Sequence, residues 1–387
     1  MDDFHFDAGA VEERLRWARR QARTALVDGA LRRAGEGAGL SPDEMGILWF
    51  AAHIETDTLY QLARSMRAPH AERLETFSPL YMTNTCDAEC RMCGMRRDNG
   101  ALKRETADIA EVVEQLHLLK RRGMHAVALL TGEYRAANRP WALTYVNQAL
   151  RAAQELQFNH VLINVGSIDP PEFATLLSGI ARNHDDSVQP KLTMCTFQET
   201  YSPRCYAKFM GTDPENPRAD FDRRLRNFDR AFRAGMRVAN PGILVGLNPD
   251  LAFEMTALAL HAQHLVARGM EVYLSVPRLR QIAGSRTQRG AGDAEFVRLV
   301  SLLSLGLPTS KIVITTREDA AMQHTLAPIV TVISAGSAAV APYTATGARF
   351  PLNTSQFEVI DQRSFEEILR EHLVTSRTIE NFQPPPA

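Results

Sequence analysis

No stretch of the 387-residue chain is apolar for long enough to cross a bilayer as a helix. The opening residues, MDDFHFDAGAVEERL, are acidic and polar and lack the apolar core of a secretory signal. A cytoplasmic protein is the expectation. An excess of charge of one sign is also missing, since 44 Lys and Arg stand against 45 Asp and Glu. That balance, with no basic patch interleaved with aromatics, argues against nucleic acid or an anionic membrane as a partner. Cysteine is scarce and odd in number, five in all, which argues against a disulfide scaffold when no secretory signal is present. The fingerprint G-x-G-x-x-G does not follow the first strand-like run, which disfavours an open nucleotide-binding sheet. Neither a low-complexity linker nor a fixed-period repeat is found.

What is present is ordinary globular material, 45% hydrophobic and 23% charged, ample for a sizeable core. Residues 1–75 read as a charged helical extension, with ALVDGALRRA and EMGILWFAAH carrying apolar residues three and four apart. From 76 to 345 the pattern changes. Eight short β-rich runs, at 77–83, 126–132, 161–166, 191–197, 240–247, 271–276, 311–316 and 331–336, alternate with helical segments such as ADIAEVVEQLHLLKRRG and AFEMTALALHAQHLVARG. Several of these segments stop at glycine. Eight such alternations predict an α/β protein built as a (β/α)8 TIM-type barrel. Residues 346–387 read as a C-terminal extension whose last segment, NFQPPPA, is expected to fray.

Three of the five cysteines, Cys86, Cys90 and Cys93, fall within eight residues in the spacing C-x3-C-x2-C. Thiolates are the standard ligands of iron–sulfur clusters, and three on one loop can hold three irons of a cubane while the fourth stays open to a small molecule. A structural zinc is the competing reading, but zinc calls for four ligands. Cys195 and Cys205 lie far along the chain, and His261 and His264 sit on an ordinary-looking helix. Chance clustering of structural cysteines is the bland alternative.

Barrel active sites lie at the carboxyl ends of the strands. Those ends carry Tyr81, then Thr131, Gly132 and Glu133, then Ser167, Gln198 and Glu199, and later Arg278, Arg317 and Ser334. Each taken singly could be a rim hydrogen-bond partner. Arg317 could instead pair with the adjacent Glu318 or Asp319.

The cysteine spacing after the first strand of a barrel resembles the radical S-adenosylmethionine (SAM) superfamily. The resemblance implies a [4Fe–4S] cluster on Cys86, Cys90 and Cys93, whose open iron chelates SAM and whose electron releases a 5′-deoxyadenosyl radical. A flavodoxin- or ferredoxin-type reductant is implied with it. LTGEY (130–134) is similar to the superfamily's Gly-Gly-Glu motif, with Thr131 in place of the first glycine, and implies that Gly132 and Glu133 approach the SAM amino group. CTFQETY (195–201) and DFDRRL (220–225) resemble segments of the aromatic amino acid lyases. They imply that Glu199 and Arg224 bind the SAM ribose and carboxylate, with Ser167, Gln198 and Arg278 nearby and Met95 beside the adenine.

The strongest likeness, over roughly 75–360, is to the tryptophan lyases of thiopeptide antibiotic biosynthesis, the 3-methyl-2-indolic acid synthases. FSPLYMTNTCDAECRMC, LTGEY, TMCTFQETY, ADFDRRL, NPGILVGL, LSVPR, ITTRE and VISAGSAAVAPY match their segments in order. Arg317 would then clamp the carboxylate of L-tryptophan, a bidentate match for a guanidinium. Ser334 and Tyr81 would orient the amino group and side chain. The implied reaction removes an amino hydrogen, breaks a bond at Cα and moves the carboxyl fragment to indole C2.

The tyrosine lyases of thiamine biosynthesis and hydrogenase maturation (2-iminoacetate synthase-like, giving p-cresol and dehydroglycine) share this layout, and CGMRRDN (93–99) resembles them somewhat more. AAVAPY after Ser337 differs from their Gln-Pro-Gly-Gly-Tyr-like run, and no cysteine follows Cys205 to hold a second cluster. A non-catalytic iron–sulfur binding protein is the reading from another class. The Gly-rich stretch 280–293 could be a lid over the site or a plain loop.

Overall fold

In the computed structural model the described residues are all except 1, 71, 181–189, 281–289, 337–338, 344–359, 375–376 and 385–387. Nine of the fourteen residues considered as a lid (280–293) therefore fall outside the described residues. Eight parallel strands close on themselves: β1 (Arg73–Tyr81), β2 (Ala126–Leu130), β3 (His160–Asn164), β4 (Lys191–Glu199), β5 (Val238–Ile243), β6 (Glu271–Ser275), β7 (Lys311–Thr315) and β8 (Val332–Ser334). Closure comes from β1, which pairs with β8 through Glu75–Phe77 and with β2 through Ser78–Tyr81. This is the TIM-type barrel that the alternation predicted, with each expected strand in place and helices outside. Among the described residues no helix is long and apolar enough to cross a membrane.

The helices begin where side chains can satisfy the first turn. Asp108 and Glu111 form a reciprocal capping box ahead of Ile109–Arg121, and Ser41 and Glu44 do the same for Pro42–Phe50. The helix Leu251–Ala267 is buried along both its faces. Its inner side lies on β5 and β6, and the extension helices Ala8–Gln21 and Pro42–Phe50 cover its outside. A helix apolar around most of its circumference needs such a double cover. Within it His261 bonds Tyr201 and stacks on Phe4, while His264 bonds Asp229 at 2.9 Å, so both histidines hold the extension in place.

The tail departs from expectation. A ninth strand, β9 (Thr378–Glu380), pairs with the start of β1 at Arg73–Glu75, below the point where β2 takes over. Asn381 accepts from the His125 amide at 2.7 Å, the Gln383 amide donates to Gly123 O at 2.8 Å, and Phe382 is buried. Gly123 has φ +87°, and an added Cβ would collide with Gln383 O. Residues 381–383 are thus stitched under the barrel and not frayed, because the β1–β2 seam is open at its base and takes an extra strand.

Five polar side chains from strand starts fill the barrel floor. Tyr273 donates to Glu75 at 2.6 Å, Lys311 pairs with Glu75 and, at 2.7 Å, with Glu271, and Lys191 reaches Glu271 at 2.9 Å. Burial alone would raise the Glu271 carboxyl, but Lys311 and Lys191 outweigh it and hold it at about 2, below its ordinary 4.5. A depressed acid contributes stability above its unfolded value and loses it as pH falls toward its folded value. The expected result is that replacing Glu271 with Gln destabilises the protein at pH 7. The gap from wild type, read by urea denaturation, should narrow steadily from about pH 4.5 downward.

Candidate active site

The carboxyl ends of the strands open into one chamber of about 1220 Å³ with its mouth included. On one side stand Cys86, Cys90 and Cys93, on the turn-rich loop after β1. Arg317 after β7, Ser334 at the end of β8 and Tyr81 at the end of β1 line the same chamber, with Ser334 in register with Phe77 of β1.

The cysteine loop is fixed by its contacts with the β2 end. Cys86 Sγ accepts from the amides of Ala88 at 3.4 Å and Glu133 at 3.3 Å, and the Asp87 amide donates to Glu133 O at 2.9 Å. Gly132 must be glycine, since an added Cβ would lie 2.7 Å from Cys86 Cβ and closer still to Thr85 O. Thr131, in contrast, lines open space and donates to Gly132 O at 2.9 Å. The residue that departs from the Gly-Gly-Glu pattern is therefore the one with room for a side chain.

Burial pushes the Cys86 thiol up to about 12, with the neighbouring cysteines adding to the rise, and the Cys90 thiol up to about 11, with Arg218 opposing the rise. Buried thiolates on this loop call for a strongly cationic partner, which an iron cluster supplies. Among the described residues no three His, Cys, Asp or Glu side chains converge closely enough to ligate one ion. Three thiolates of a cubane each take a different iron and need not converge. The donor set thus fits a [4Fe–4S] cluster. Cys195 also lines the chamber but donates to Asn240 at 3.1 Å on the far wall.

A buried network of four charges surrounds the chamber beside the loop. Glu133 accepts from Arg224 at 2.8 Å and from the Ser167 amide at 3.1 Å. Burial alone would raise Glu133, but Arg224 and Arg218 outweigh it and keep its carboxyl below the ordinary range. Asp220 caps the short helix Phe221–Leu225, which turns Arg224 inward to Glu133 and Phe197 O while Arg223 points outward to Asp169. Glu199 ends β4 at a register shift with φ +67°, a conformation rare for a side chain of this kind. Its carboxylate accepts from Arg218 at 2.7 Å.

The strand-end reading missed Arg218. It is buried, and its guanidinium reaches Cys90 Sγ at 3.5 Å, Phe197 O at 3.3 Å and Glu199, with Glu133 at 3.8 Å. It lies in the turn after the helix Pro203–Met210 and not at a strand end. The only local signal was an arginine after a proline and ahead of the Asp220 cap.

Of the predicted site residues, Tyr81, Met95, Gly132, Glu133, Glu199, Arg224, Arg317 and Ser334 line the chamber with the three cysteines. Ser167, Gln198 and Arg278 are buried but absent from its wall. Gln198 alternates outward between Phe197 and Glu199, as neighbours on a strand do. Ser167 contributes its backbone, which receives Arg139 and Arg223. Arg278 is bound to Glu318 at 2.8 Å and to Asp293 at 2.5 Å. Glu318 is taken by Arg278 and Arg280, and Asp319 caps the helix Ala320–Leu326. The Arg317 side chain donates to Arg278 O at 3.3 Å, and burial pulls its guanidinium below its ordinary value.

A family model described as the Biotin and Thiamin Synthesis associated domain matches residues 275–372. Two proteins called 2-iminoacetate synthase are similar over 74% of the chain. The protein from Escherichia coli (strain K12) is 26% identical with 72% of its length covered, and that from Salmonella typhimurium (strain LT2) is 27% identical with 73% covered. The crystal structure of HydG, a maturase of the [FeFe]-hydrogenase, superposes with a TM-score of 0.80 at 26% identity, over 95% of this chain and 80% of that one. The chain is similar to the radical SAM aromatic amino acid lyases. Methylornithine synthase (PylB), at 18% identity and a TM-score of 0.68, shares the fold.

Arg218 gives the site a testable electrostatic property. A cation that donates N–H to a cluster thiolate favours the more negative, reduced cluster. Replacing Arg218 with Gln is expected to shift the reduction potential of the reconstituted cluster to more negative values. Lys, which keeps the charge, should recover part of the shift in a potentiometric titration followed by EPR.

Proposed function

We propose that the protein is a radical SAM lyase that breaks a bond at Cα of a free aromatic L-amino acid. One observation carries this reading: the three-cysteine loop and the group Arg317, Ser334 and Tyr81 line one and the same chamber. When bound, the cluster and SAM would supply a radical able to abstract hydrogen. The chain itself would supply position. Glu133, Glu199 and Arg224 would hold SAM against the cysteine loop, with Met95 beside the adenine. Ser167 would act through its backbone, and Gln198 and Arg278 from outside the wall. Arg317, a half-buried cation in the chamber wall, would take the substrate carboxylate in a bidentate fork. Ser334 and Tyr81 would orient the amino group and ring. A flavodoxin- or ferredoxin-type protein would deliver the electron.

For the amino acid, the likeness to 2-iminoacetate synthase over 74% of the chain supports L-tyrosine, with cleavage to p-cresol and dehydroglycine. L-Tryptophan, converted to 3-methyl-2-indolic acid, was the expectation from the order of the sequence segments. It remains the second reading because AAVAPY (338–343) departs from the tyrosine-lyase run. Anaerobic incubation of the reconstituted protein with SAM, dithionite and either amino acid, with products identified by mass, separates the two. Failure to form 5′-deoxyadenosine with both would favour a non-catalytic iron–sulfur protein.

The Arg317 assignment predicts a split in kinetic constants. A charged hydrogen bond is worth about 1.5–3 kcal/mol, so replacing Arg317 with Ala should raise the KM for the amino acid roughly 10- to 100-fold. Iron content and SAM binding should stay near wild type. Normal KM in that variant would remove the carboxylate role.

A further inference from the structure

We propose that Ser275, held in place by Asn240 and Cys195, recognises a hydrogen-bond donor on the aromatic ring of the substrate, a phenol O–H or an indole N–H. The inference rests on the lyase reading of the chamber. It adds a specificity-determining residue beyond Arg317, Ser334 and Tyr81, and it disfavours rings that carry no such donor.

The chamber-lining residue nearest the start of each strand shows a division. Apart from Ser334 on β8, those of β1, β2, β3 and β7 are Phe77, Ala128, Leu162 and Val313, all apolar. On the three neighbouring strands β4, β5 and β6 they are Cys195, Asn240 and Ser275, each more than nine-tenths buried. Buried polar groups cost free energy unless they are paired, so a polar run at the inner end of an otherwise apolar wall calls for a reason. The next inward position of β5 is Gly242, where an added Cβ would lie 2.7 Å from the Phe197 ring. Phe197 thus lies against bare backbone and gives the polar run an aromatic neighbour in the chamber wall.

The trio is fixed but not exhausted. Asn240 Nδ2 donates to Tyr273 O at 2.9 Å and to Ser275 Oγ at 3.0 Å. A carbonyl can only accept, so the Tyr273 contact sets which way the amide points. Asn240 Oδ1 accepts from Cys195 Sγ at 3.1 Å, and burial pushes that thiol up, which keeps its proton in place. Ser275 Oγ also lies 3.2 Å from Oδ1. A hydroxyl has one proton and two lone pairs. With the proton turned to Oδ1 and one lone pair taken by Nδ2, the second lone pair of Ser275 is left. Among the described residues nothing donates to it, and a donor on a ligand fits it.

Ser275 also stands at the end of the chamber where a ring would lie. It pairs in register with Val313 of β7, Ser334 pairs with Thr315, and Arg317 follows the end of that strand. From the barrel interior to the rim the order is therefore Ser275, Ser334, Arg317. An aromatic amino acid with its carboxylate at Arg317 and its amino group at Ser334 points its ring inward, toward Ser275.

The test measures binding, with the reductant left out so that nothing turns over. The reconstituted protein holding SAM is titrated calorimetrically with two matched pairs. These are L-tyrosine against L-phenylalanine, and L-tryptophan against benzothienylalanine, in which sulfur replaces the indole N–H. In wild type one pair is expected to show the donor-bearing member bound roughly 5- to 10-fold more tightly, and that pair names the ring the site takes. Ser275→Ala should bring the ratio close to one by weakening the donor-bearing member alone, with iron content and SAM affinity near wild type. Should that variant not fold, Ser275→Cys, whose sulfur is a weak acceptor, is read by the same ratio. Ratios near one for both pairs in wild type, or a variant that weakens both members equally, would overturn the Ser275 assignment and leave the lyase reading standing. A wild-type protein that binds none of the four amino acids would remove both.

Discussion

The contact on which the rest of the site depends is the one between the β2 end and the cysteine loop. Glu133 is its pivot. Its amide holds Cys86 Sγ, its carbonyl holds the Asp87 amide, and its carboxylate holds Arg224 and the Ser167 amide. Gly132 allows the loop to lie against the strand end with no Cβ between them. A loop with little regular structure is thereby fixed to the most rigid part of the molecule. Placement of that kind is what a radical-generating cofactor requires from a protein.

From that pivot the charges form a connected chain. Arg224 and Arg218 are buried cations, Glu133 and Glu199 are buried anions, and their geometry satisfies each by another. Burying charges in this way costs desolvation free energy that the mutual attraction and hydrogen bonds must offset, and removing one partner leaves another stranded. The strained turn at Glu199 fits the same picture, since a conformation rare for a side-chain-bearing residue persists where its surroundings over-determine it. Glu199 is held by Arg218, which also touches Cys90. The cysteine loop and the strand-end carboxylates are therefore electrically one unit.

The wall around Arg317 is built differently. Arg278 and Arg280 occupy Glu318, Asp319 caps a helix, and the carboxylates next to Arg317 are committed elsewhere. Arg317 itself faces the chamber from the end of β7, beside Ser334 of β8 in a register that aligns Thr315 with Ser334. The wall around the cysteines is internally neutralised, and the half-buried Arg317 lines the same chamber.

Local pattern alone determined much of this protein. The eight alternations of strand and helix, the cysteine spacing and the polar strand ends are all short-range features, and period and spacing survive any packing. They located every strand of the barrel and the loop that carries the three cysteines. Tertiary structure decided what depends on contacts between distant segments. It turned Gln198 and Arg278 away from the chamber, brought Arg218 in from a turn that no strand-end rule reaches, and covered the outer face of the helix Leu251–Ala267 with helices from the N-terminal extension. It also pinned the tail beneath β1, where an unfilled seam offers hydrogen bonds that the tail's own sequence does not announce. The physical reason is the same in each case. A residue's neighbours along the chain set its local geometry, but its partners in space settle which way a buried charge or an open strand edge is satisfied.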